Sequence, residues 1–401
     1  EMQKNNFRDT KKNGARISSS TKNFGSDNAK RVPKNVSRFG RLNLRAEPIK
    51  DTFNLQTSKG KVKDKRIVSG RRGSSSRPWS TYGPNIREAR SRNDIKRPFF
   101  NLSVPENGYA WWYLDGISND NTKAISIIAF IGSVFSPWYR WYGRKNPYDH
   151  CCINVATYGH KGRWTMTERG EPTLLIEDNK FQVGPSSFNW NRNKLVVDID
   201  ELTIPHLSRL KGQVIIEPKY ITNIEVLLKD DGSHIWRPFA PVSKIQVDLN
   251  VPGWQWSGHG YLDGNFGTRA LEDDFSYWTW SRLMGKNGAM AFYDAKRREG
   301  GDLDLGLEFN SDGNIKMLND IPKTKFSRSL WQVRRETRSD NNYKPKQIQN
   351  MLDAPFYSRS KIKTKIKGEE VEGVHEALDL NRFANPLIKP MLALRVPRKR
   401  G

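Results

Sequence analysis

Cysteine is scarce in this sequence. The 401 residues include only two cysteines, Cys151 and Cys152, which are adjacent. Adjacent cysteines cannot easily form a disulfide with each other because the geometry of the bond is restrictive. The sequence therefore predicts no disulfide framework and gives no sign of an oxidising compartment. It also lacks CxxC and HExxH motifs and a Gly-rich phosphate loop, so neither a metal nor an organic cofactor is expected.

Long apolar segments are also missing. The longest apolar run is Ala124–Phe135, and Ser136 and Pro137 follow it. A membrane-spanning helix needs roughly 20 such residues, so this run predicts a buried strand. Residues 1–50 contain no apolar segment of the kind found in signal peptides. These absences predict a soluble or peripheral protein of the cytoplasm.

Acidic residues are rare at both ends of the chain. Residues 1–100 carry 26 Lys or Arg against 8 Asp or Glu, residues 381–401 carry six basic residues and no acidic one, and residues 101–380 are nearly neutral at +1. The segment 1–98 is too polar to offset its ordering entropy, and we predict a disordered basic tail. Its most basic part, Arg66–Arg77, suits attachment to nucleic acid or anionic lipid, or simple solvation. A nucleic-acid partner is not expected, because aromatic residues are not interleaved with the basic ones.

Beyond Pro98 the composition becomes that of a β protein. Short β-branched segments alternate with Gly, Pro, Asn and Asp, which is typical of strands and turns. Helical periodicity is confined to Glu369–Phe383, which predicts one short helix. Many short strands without βαβ alternation predict a sandwich or a barrel. The predicted strands are Ala124–Phe135, Cys151–Tyr158, Leu195–Ile199, Gln213–Ile216, Ile224–Leu228 and Lys244–Leu249.

A four-residue sequence occurs twice. Tyr113-Leu114-Asp115-Gly116 recurs as Tyr261-Leu262-Asp263-Gly264, 148 residues later. That separation is about the size of one small domain. Two related β-domains would explain the repetition, and a chance match is the alternative.

One strand-like segment, Trp254–Gly267, combines several reactive residue types. Alternate side chains on a strand share a face, so we expect His259, Tyr261 and Asp263 in one row. An imidazole, a phenol and a carboxyl beside many aromatics suit an enclosed acid site. The structural alternative is a hairpin turn at Asp263–Asn265.

A second candidate is His234-Ile235-Trp236, whose His and Trp share a face on a strand that follows the turn Asp230–Gly232. A lone His is more often a structural residue than a catalytic one. The tryptophans and tyrosines exceed the needs of an ordinary core, and some of them are expected to line an apolar cavity, where ring faces stabilise a nearby cation. An aromatic cavity with one carboxylic acid is what the protonation of an alkene requires.

Several blocks of the sequence resemble the carotenoid 1,2-hydratases, also called hydroxyneurosporene synthases. The resemblance covers about residues 101–400, and residues 1–100 do not take part in it. The blocks that carry it are Asn107–Gly116, Ile127–Pro137, Asn154–Gly159, Arg163–Arg169, Gly258–Gly267, Trp278–Arg282 and Asp353–Arg359.

This resemblance implies two lipocalin-like β-barrel domains, 99–265 and 266–401, after the tail 1–98. It implies the addition of water to the C1,C2 double bond of an acyclic carotenoid such as neurosporene or lycopene, without an organic cofactor. The catalytic acid of the family falls on Asp263, supported by Tyr261, with His234 and Trp236 in the same site.

We accordingly expect a desolvated, protonated Asp263 to donate its proton to the alkene, with Tyr261 orienting it. Trp236 is expected to face the resulting cation and His234 to act as general base towards water. The residues expected to contact the substrate are Trp111, Trp112, Tyr113, Asp115, His259, Trp278 and Trp280.

Two other functions fit a barrel of this kind. One is a non-catalytic carrier of an apolar ligand, and the other is a pericyclase-like enzyme that folds a polyene without using an acid. The row of His259, Tyr261 and Asp263 favours the hydratase. The substrate dissolves in membranes, and the basic Arg395, Arg398, Lys399 and Arg400 adjoin the apolar Pro390–Leu394. We therefore expect peripheral docking on an anionic membrane. No oligomeric state is predicted.

Overall fold

The fold is that of a computed structural model, and the structure describes residues 85–89 and 97–399. Most of the predicted tail lies outside the described residues. Within it, however, Ile86–Glu88 forms a short strand that pairs with Ile224–Val226. Ile86 is buried, and Arg87 donates to the Glu225 carboxylate at 2.9 Å. This strand is held by an apolar side chain and an ion pair, and it precedes the boundary at residue 98, which stays a prediction.

The described chain consists mainly of antiparallel strands. Its first fourteen strands are β1 Ile86–Glu88, β2 Tyr109–Ser118, β3 Ala124–Ile131, β4 Cys152–Tyr158, β5 Trp164–Met166, β6 Glu168–Arg169, β7 Leu174–Glu177, β8 Lys180–Val183, β9 Ser186–Asn191, β10 Lys194–Leu202, β11 Arg209–Pro218, β12 Ile224–Leu227, β13 His234–Leu249 and β14 Trp254–Gly267. The remaining strands are β15 Phe275–Gly285, β16 Gly288–Arg297, β17 Leu303–Asn310, β18 Ile315–Met317, β19 Lys323–Lys325, β20 Glu336–Arg338, β21 Lys346–Ala354, β22 Tyr357–Ile366, β23 Glu369–Asp379 and β24 Arg398–Lys399.

The helices of the described chain are short. The α-helices are α1 Pro137–Trp141, α2 Leu271–Asp274, α3 Leu380–Ala384 and α4 Lys389–Arg395, and 3₁₀ turns occupy Pro147–Asp149, Glu171–Thr173 and Pro386–Ile388. Among residues 85–89 and 97–399, no helix has the length and apolar character needed to cross a membrane.

The first sheet has the order β5-β4-β3-β2-β14-β13-β11-β10-β9-β8-β7, and β12 joins β1 to β13. This sheet curls on itself. The backbone N–H of Ile204, just after β10, donates to the carbonyl of Trp164 in β5 at 2.8 Å. Trp112 of β2 lies 5.5 Å from the ring of Phe181 in β8, across the enclosed core. Residues from strands far apart in the sheet therefore share one apolar interior.

The second sheet has the order β18-β17-β16-β15-β23-β22-β21. It encloses a smaller core that includes Leu283, Phe292 and Ile362. The helix predicted over Glu369–Phe383 is wrong for most of its length. Residues 369–379 form the interior strand β23, and only the segment from Leu380 onward is helical. Backbone pairing with β15 and β22 on both sides outweighs the local helical pattern.

The two sheets pack against each other through a large aromatic cluster. Tyr113 of β2 lies 5.5 Å from Trp280 of β15, and Trp236 of β13 lies 5.5 Å from Tyr293 of β16. The chain end returns to the first sheet, where β24 pairs in parallel with β6. The prediction of an all-β, lipocalin-like fold is confirmed, since antiparallel strands in two curled sheets make up most of the described chain. The division into domains 99–265 and 266–401 stays a prediction. Each of the six predicted strands overlaps an observed one.

Candidate active site

Strand β14 holds the predicted acid motif in a regular conformation. Asp263–Asn265 lie inside this 14-residue strand, so the alternative of a hairpin turn is wrong. Pairing with β2 runs from Gly258 to Gly267 without a register shift, and the irregularities in the pairing of β13 with β14 lie between Arg237 and Ser243. Tyr261 and Asp263 therefore keep the same face of the strand, as predicted from the period of two.

The two copies of the repeated sequence lie side by side. In the antiparallel pairing of β2 with β14, Tyr261 is opposite Asp115, Leu262 is opposite Leu114 and Asp263 is opposite Tyr113. Both copies belong to the first sheet, so the repetition does not mark two related domains. It is a local twofold arrangement of neighbouring strands.

Asp263 is buried and has one occupied and one free carboxyl oxygen. Its Oδ2 accepts hydrogen bonds from Trp236 Nε1 at 2.7 Å and from Tyr261 OH at 2.9 Å. Its Oδ1 has no hydrogen-bond partner. Burial raises the pKa of Asp263 to about 8, although the Trp236 and Tyr261 donors act in the opposite direction. The group is therefore mostly protonated at pH 7, and the proton resides on Oδ1, because Oδ2 already receives two donors.

Tyr261 is suited to its role as a donor. Burial, and then the charge of Asp263, raise the pKa of Tyr261 well above its usual value. The phenol therefore keeps its proton at any physiological pH. Since its hydroxyl donates to Asp263, it fixes the orientation of the acid.

A cavity, here called the acid chamber, lies beside Asp263 between the two sheets. Its volume is about 50 Å³. Strands β2, β3 and β14 form one side, and strands β15, β16, β22 and β23 form the other. Its walls are mainly aromatic, and the lining residues are Trp111, Tyr113, Ile128, Phe130, Phe135, Asp263, Asn265, Trp278, Trp280, Tyr293, Tyr357, Arg359, Glu376 and Leu378.

A buried ion pair completes the acid chamber. Arg359 Nε donates to Glu376 Oε1 at 2.8 Å, and its Nη1 donates to Ser126 Oγ and Tyr158 OH at 2.5 and 2.8 Å. The carboxylate of Glu376 thus has a cationic partner, whereas Asp263 has only neutral donors. A carboxylic acid among aromatic rings can transfer a proton to an apolar ligand, and the rings can stabilise a cation that results.

Four of the residues predicted to contact substrate line the acid chamber, namely Trp111, Tyr113, Trp278 and Trp280. Trp112 does not. It is fully buried in the core of the first sheet, because neighbouring residues of a strand point to opposite faces. The structure therefore does not place Trp112 at the acid chamber.

Asp115 and His259 also lie outside the acid chamber. Asp115 is buried, accepts a hydrogen bond from Tyr113 OH at 2.8 Å and forms an ion pair with Arg282. His259 continues the row of Tyr261 and Asp263, but it is exposed near the end of the strand pairing. The structure therefore gives neither residue direct contact with the chamber.

Trp236 is near Asp263 but has a different contact from the one predicted. Its indole N–H donates to the carboxyl, and it is not among the residues that line the acid chamber. The rings that do line it come from other positions, including Trp111 and Trp278.

His234 is enclosed in a separate network. Its Nδ1 is 2.8 Å from Tyr109 OH, and its Nε2 is 2.8 Å from Asp274 Oδ2. Both ring nitrogens are therefore occupied, and burial lowers the pKa of His234. Tyr109 in turn stacks on Trp111, with ring centroids 4.9 Å apart. His234 thus lies behind an aromatic wall of the chamber rather than inside the chamber.

The sequence analysis missed several chamber residues. Tyr357 and Arg359 lie within the block Asp353–Arg359 that carries the family resemblance, and Asn265 lies within the Gly258–Gly267 block. Those blocks were the available signal for them. Tyr293 and Glu376 had no sequence signal, since they reach the site only through the packing of the second sheet.

A second cavity, here called the outer chamber, adjoins the acid chamber and has a volume of about 130 Å³. The two chambers share the walls formed by Ile128, Phe135, Tyr357 and Arg359. The other residues that line the outer chamber are Asn154, Trp164, Met166, Leu352, Asp353, Ala354, Phe356, Leu392, Arg395 and Val396.

In the described part of the chain, no group of three or more His, Cys, Asp or Glu side chains is arranged to hold a metal ion. The expectation that the protein needs no metal or organic cofactor stays a prediction.

A protonated carboxyl buried among aromatic rings, between two curled antiparallel sheets, defines an all-β protein with an enclosed acid site. The sequence profile of the family described as carotenoid hydratase CrtC matches residues 127–401. The chain belongs to this family, and the resemblance seen in the sequence is confirmed.

Three relatives named acyclic carotenoid 1,2-hydratase are similar to this chain. The acyclic carotenoid 1,2-hydratase of Cereibacter sphaeroides is 54% identical over 69% of this chain and 99% of its own length. The enzyme of the same name from Rhodobacter capsulatus is 52% identical over 69% of this chain and 98% of its own length. The one from Thiocapsa roseopersicina is 38% identical over 83% of this chain and 84% of its own length. Among solved structures, kievitone hydratase from Nectria haematococca aligns with 75% of this chain and 98% of that chain, with a TM-score of 0.45 and 12% identity.

Proposed function

We propose that this protein adds water to the terminal C1,C2 double bond of an acyclic carotenoid, with neurosporene and lycopene as substrates. The observation that carries the proposal is the state of Asp263, whose pKa is raised to about 8 and whose Oδ1 has no partner beside an aromatic cavity. The relatives named acyclic carotenoid 1,2-hydratase support the same chemistry.

The first step is a proton transfer from Asp263 Oδ1 to C2. The electron pair of the double bond forms the new C–H bond and leaves a tertiary cation at C1. The rings of Trp111, Trp278 and Trp280 line the chamber in which this cation forms and stabilise it through their π faces. Asp263 becomes a carboxylate in this step. The hydroxyl of Tyr261 and the indole N–H of Trp236 stabilise it by donating hydrogen bonds to Oδ2.

The second step is the addition of water to C1. The oxygen forms a bond to the cation, and one proton of the water must leave. The ionised Asp263 is the base for this proton, since a carboxylate with a conjugate acid of pKa about 8 is unusually basic. The transfer of this proton to Asp263 restores the acid. In the overall reaction, one alkene and one water therefore give one tertiary alcohol.

His234 is not needed as a base in this scheme. Both of its nitrogens are bonded, to Tyr109 and to Asp274. We assign it a positioning role, because Tyr109 stacks on Trp111 and Phe275 contacts both His234 and Trp278.

The substrate is expected to arrive from a membrane surface. Around α4, Leu387 and Leu394 are each 80% exposed, and Arg395 and Lys399 are exposed beside them. Arg398 is not part of this basic surface, because it forms ion pairs with Asp149 and Glu168, and Arg400 lies outside the described residues. We propose peripheral docking on the cytoplasmic face of an anionic membrane.

The test is direct. Purified protein is incubated with lycopene or neurosporene in detergent micelles. The products are separated by chromatography, and their masses are measured by mass spectrometry. The expected product is heavier by one water. A protein that binds lycopene without any gain of mass would be a carrier, and a product of unchanged mass but altered spectrum would indicate a pericyclase-like reaction.

A further inference from the structure

The two chambers adjoin each other, and together they are here called the path. They meet at Ile128, Phe135, Tyr357 and Arg359, which line both. Asp263 lines the acid chamber and not the outer chamber. The outer chamber continues from the shared walls towards Leu392 and Val396, at the C-terminal helix α4. A ligand that fills both chambers therefore has one end at the acid and the other near α4.

The walls of the outer chamber are suited to an apolar ligand. Its apolar lining includes Trp164, Met166, Leu352 and Phe356, along with Leu392 and Val396 of the chain end. Cavities with apolar walls bind hydrocarbon ligands in preference to water. The Arg359 guanidinium on the shared wall is already paired with Glu376, so it presents no uncompensated charge to the path.

Helix α4 forms the outer wall of this path. Trp164 Nε1 is 3.4 Å from the carbonyl of Arg395, and Trp138 Nε1 donates to the carbonyl of Val396 at 2.7 Å. The same helix exposes Met391 and Leu394 on its other side. One short helix thus contacts the cavity on one face and presents apolar side chains outward on the other.

We propose that the outer chamber is the binding site for the polyene chain of the substrate, and that an acyclic end group passes α4 and the outer chamber to reach Asp263. This inference rests on the proposed function and deepens it. The chambers, of about 50 and 130 Å³, are too small for a whole long polyene. The rest of the molecule therefore stays outside, and one end is hydrated in each binding event.

The test uses a single introduced thiol. Both native cysteines are buried, and burial raises the pKa of Cys151 and of Cys152, so neither reacts readily with alkylating reagents. Leu352→Cys places a thiol in the outer chamber only. Ile348→Cys, on the same strand at a position that is 47% exposed, is the matched control. Each variant is alkylated with a maleimide, with and without lycopene in micelles.

We expect lycopene to slow alkylation of Leu352→Cys at least fivefold and prior alkylation to lower hydration at least tenfold. The Ile348→Cys protein should show neither effect. Equal alkylation rates with and without lycopene, together with full hydration by the alkylated Leu352→Cys protein, would overturn the proposal.

The alkylation measurement is repeated with Leu352→Cys combined with Asp263→Asn, which separates this inference from the proposed chemistry. If lycopene protects the thiol in the double variant but the protein of natural sequence does not hydrate lycopene, the outer chamber is supported as a binding site and the proposed reaction is rejected. Hydration by the unmodified protein without any protection of the Leu352→Cys thiol would leave the reaction intact and reject the path.

Discussion

Asp115 and Asp263 lie on neighbouring strands and accept the same hydrogen bond, each from the tyrosine two residues before it, at 2.8 and 2.9 Å. Their further partners differ. Asp115 forms a buried ion pair with Arg282, whereas Asp263 has only the neutral indole of Trp236. The same local motif therefore yields one carboxylate that joins the two sheets and one carboxyl that is protonated at pH 7.

This difference predicts opposite phenotypes for two matched substitutions. Asp263→Asn should lower kcat by on the order of 10²- to 10⁴-fold, because it removes the proton donor and preserves the shape. Asp115→Asn should lower the free energy of unfolding by roughly 3–5 kcal/mol, because it leaves buried Arg282 without its anion. Hydration assays and urea unfolding of both variants provide the measurement. A stable Asp115→Asn protein without activity, beside an active Asp263→Asn protein, would transfer the role of acid to Asp115.

The rate should depend on pH through Asp263. The protonated form is the active one, so kcat should fall as the pH rises through the pKa of Asp263, about 8. Tyr261→Phe removes a donor that favours the ionised form, and we expect the falling limb to move to higher pH by about one unit. Tyr277→Phe is the control, since the Tyr277 hydroxyl donates to the backbone of Arg334 outside the acid chamber. A limb that stays in place in Tyr261→Phe would mean that another group sets it.

Stability should depend on pH through the same group, with a definite sign. The pKa of Asp263 is raised from 3.8 to about 8 on folding, so between these values the folded state holds a proton that the unfolded state has lost. The free energy of unfolding therefore falls as the pH rises through this window, by on the order of 4 kcal/mol at pH 7. Asp263→Asn should lack this contribution. Urea unfolding of the natural protein and of Asp263→Asn at several pH values will measure this contribution. If the free energy of unfolding depends on pH in the same way in both proteins, the raised pKa of Asp263 is contradicted.

His234 and Tyr109 should behave alike if His234 positions Trp111 through Tyr109. His234→Gln and Tyr109→Phe each disrupt their shared 2.8 Å hydrogen bond. We expect both to raise KM, to lower kcat by similar factors and to leave the pH limb near 8 in place. Steady-state kinetics across pH are the check. A general base would give another pattern, in which His234→Gln loses kcat and the dependence on pH at the acidic side while Tyr109→Phe keeps both.

Membrane docking should depend on the exposed apolar residues around α4. Truncation after Ala393 would be a poor test, because it removes buried Val396 and the ion-paired Arg398. Leu387→Ser with Leu394→Ser should instead reduce flotation with anionic vesicles several-fold. Leu207→Ser, at a position 69% exposed outside α4, should have no effect. High salt should release the protein, and equal binding to anionic and neutral vesicles at low salt would refute the electrostatic part.

The sequence by itself determined the strands and the row that contains the acid. The period of two in β14 is a property of the backbone, so it placed Tyr261 and Asp263 on one face without any knowledge of the partner strands. Turn residues and β-branched segments likewise predicted the all-β fold. The family blocks supplied Tyr357 and Arg359 only as parts of a motif, without a role.

The tertiary structure decided which groups reach the acid and what state they are in. Glu376 and Tyr293 come from the second sheet, which no local pattern encodes. Strand alternation separates Trp112 from Trp111 and Tyr113, but only the packing of the two sheets decided which face holds the chamber. The segment 369–379 became a strand because its neighbours pair with it on both sides. The proton on Asp263 depends on desolvation and on neighbours from β13 and β14, and these exist only when the sheets have packed.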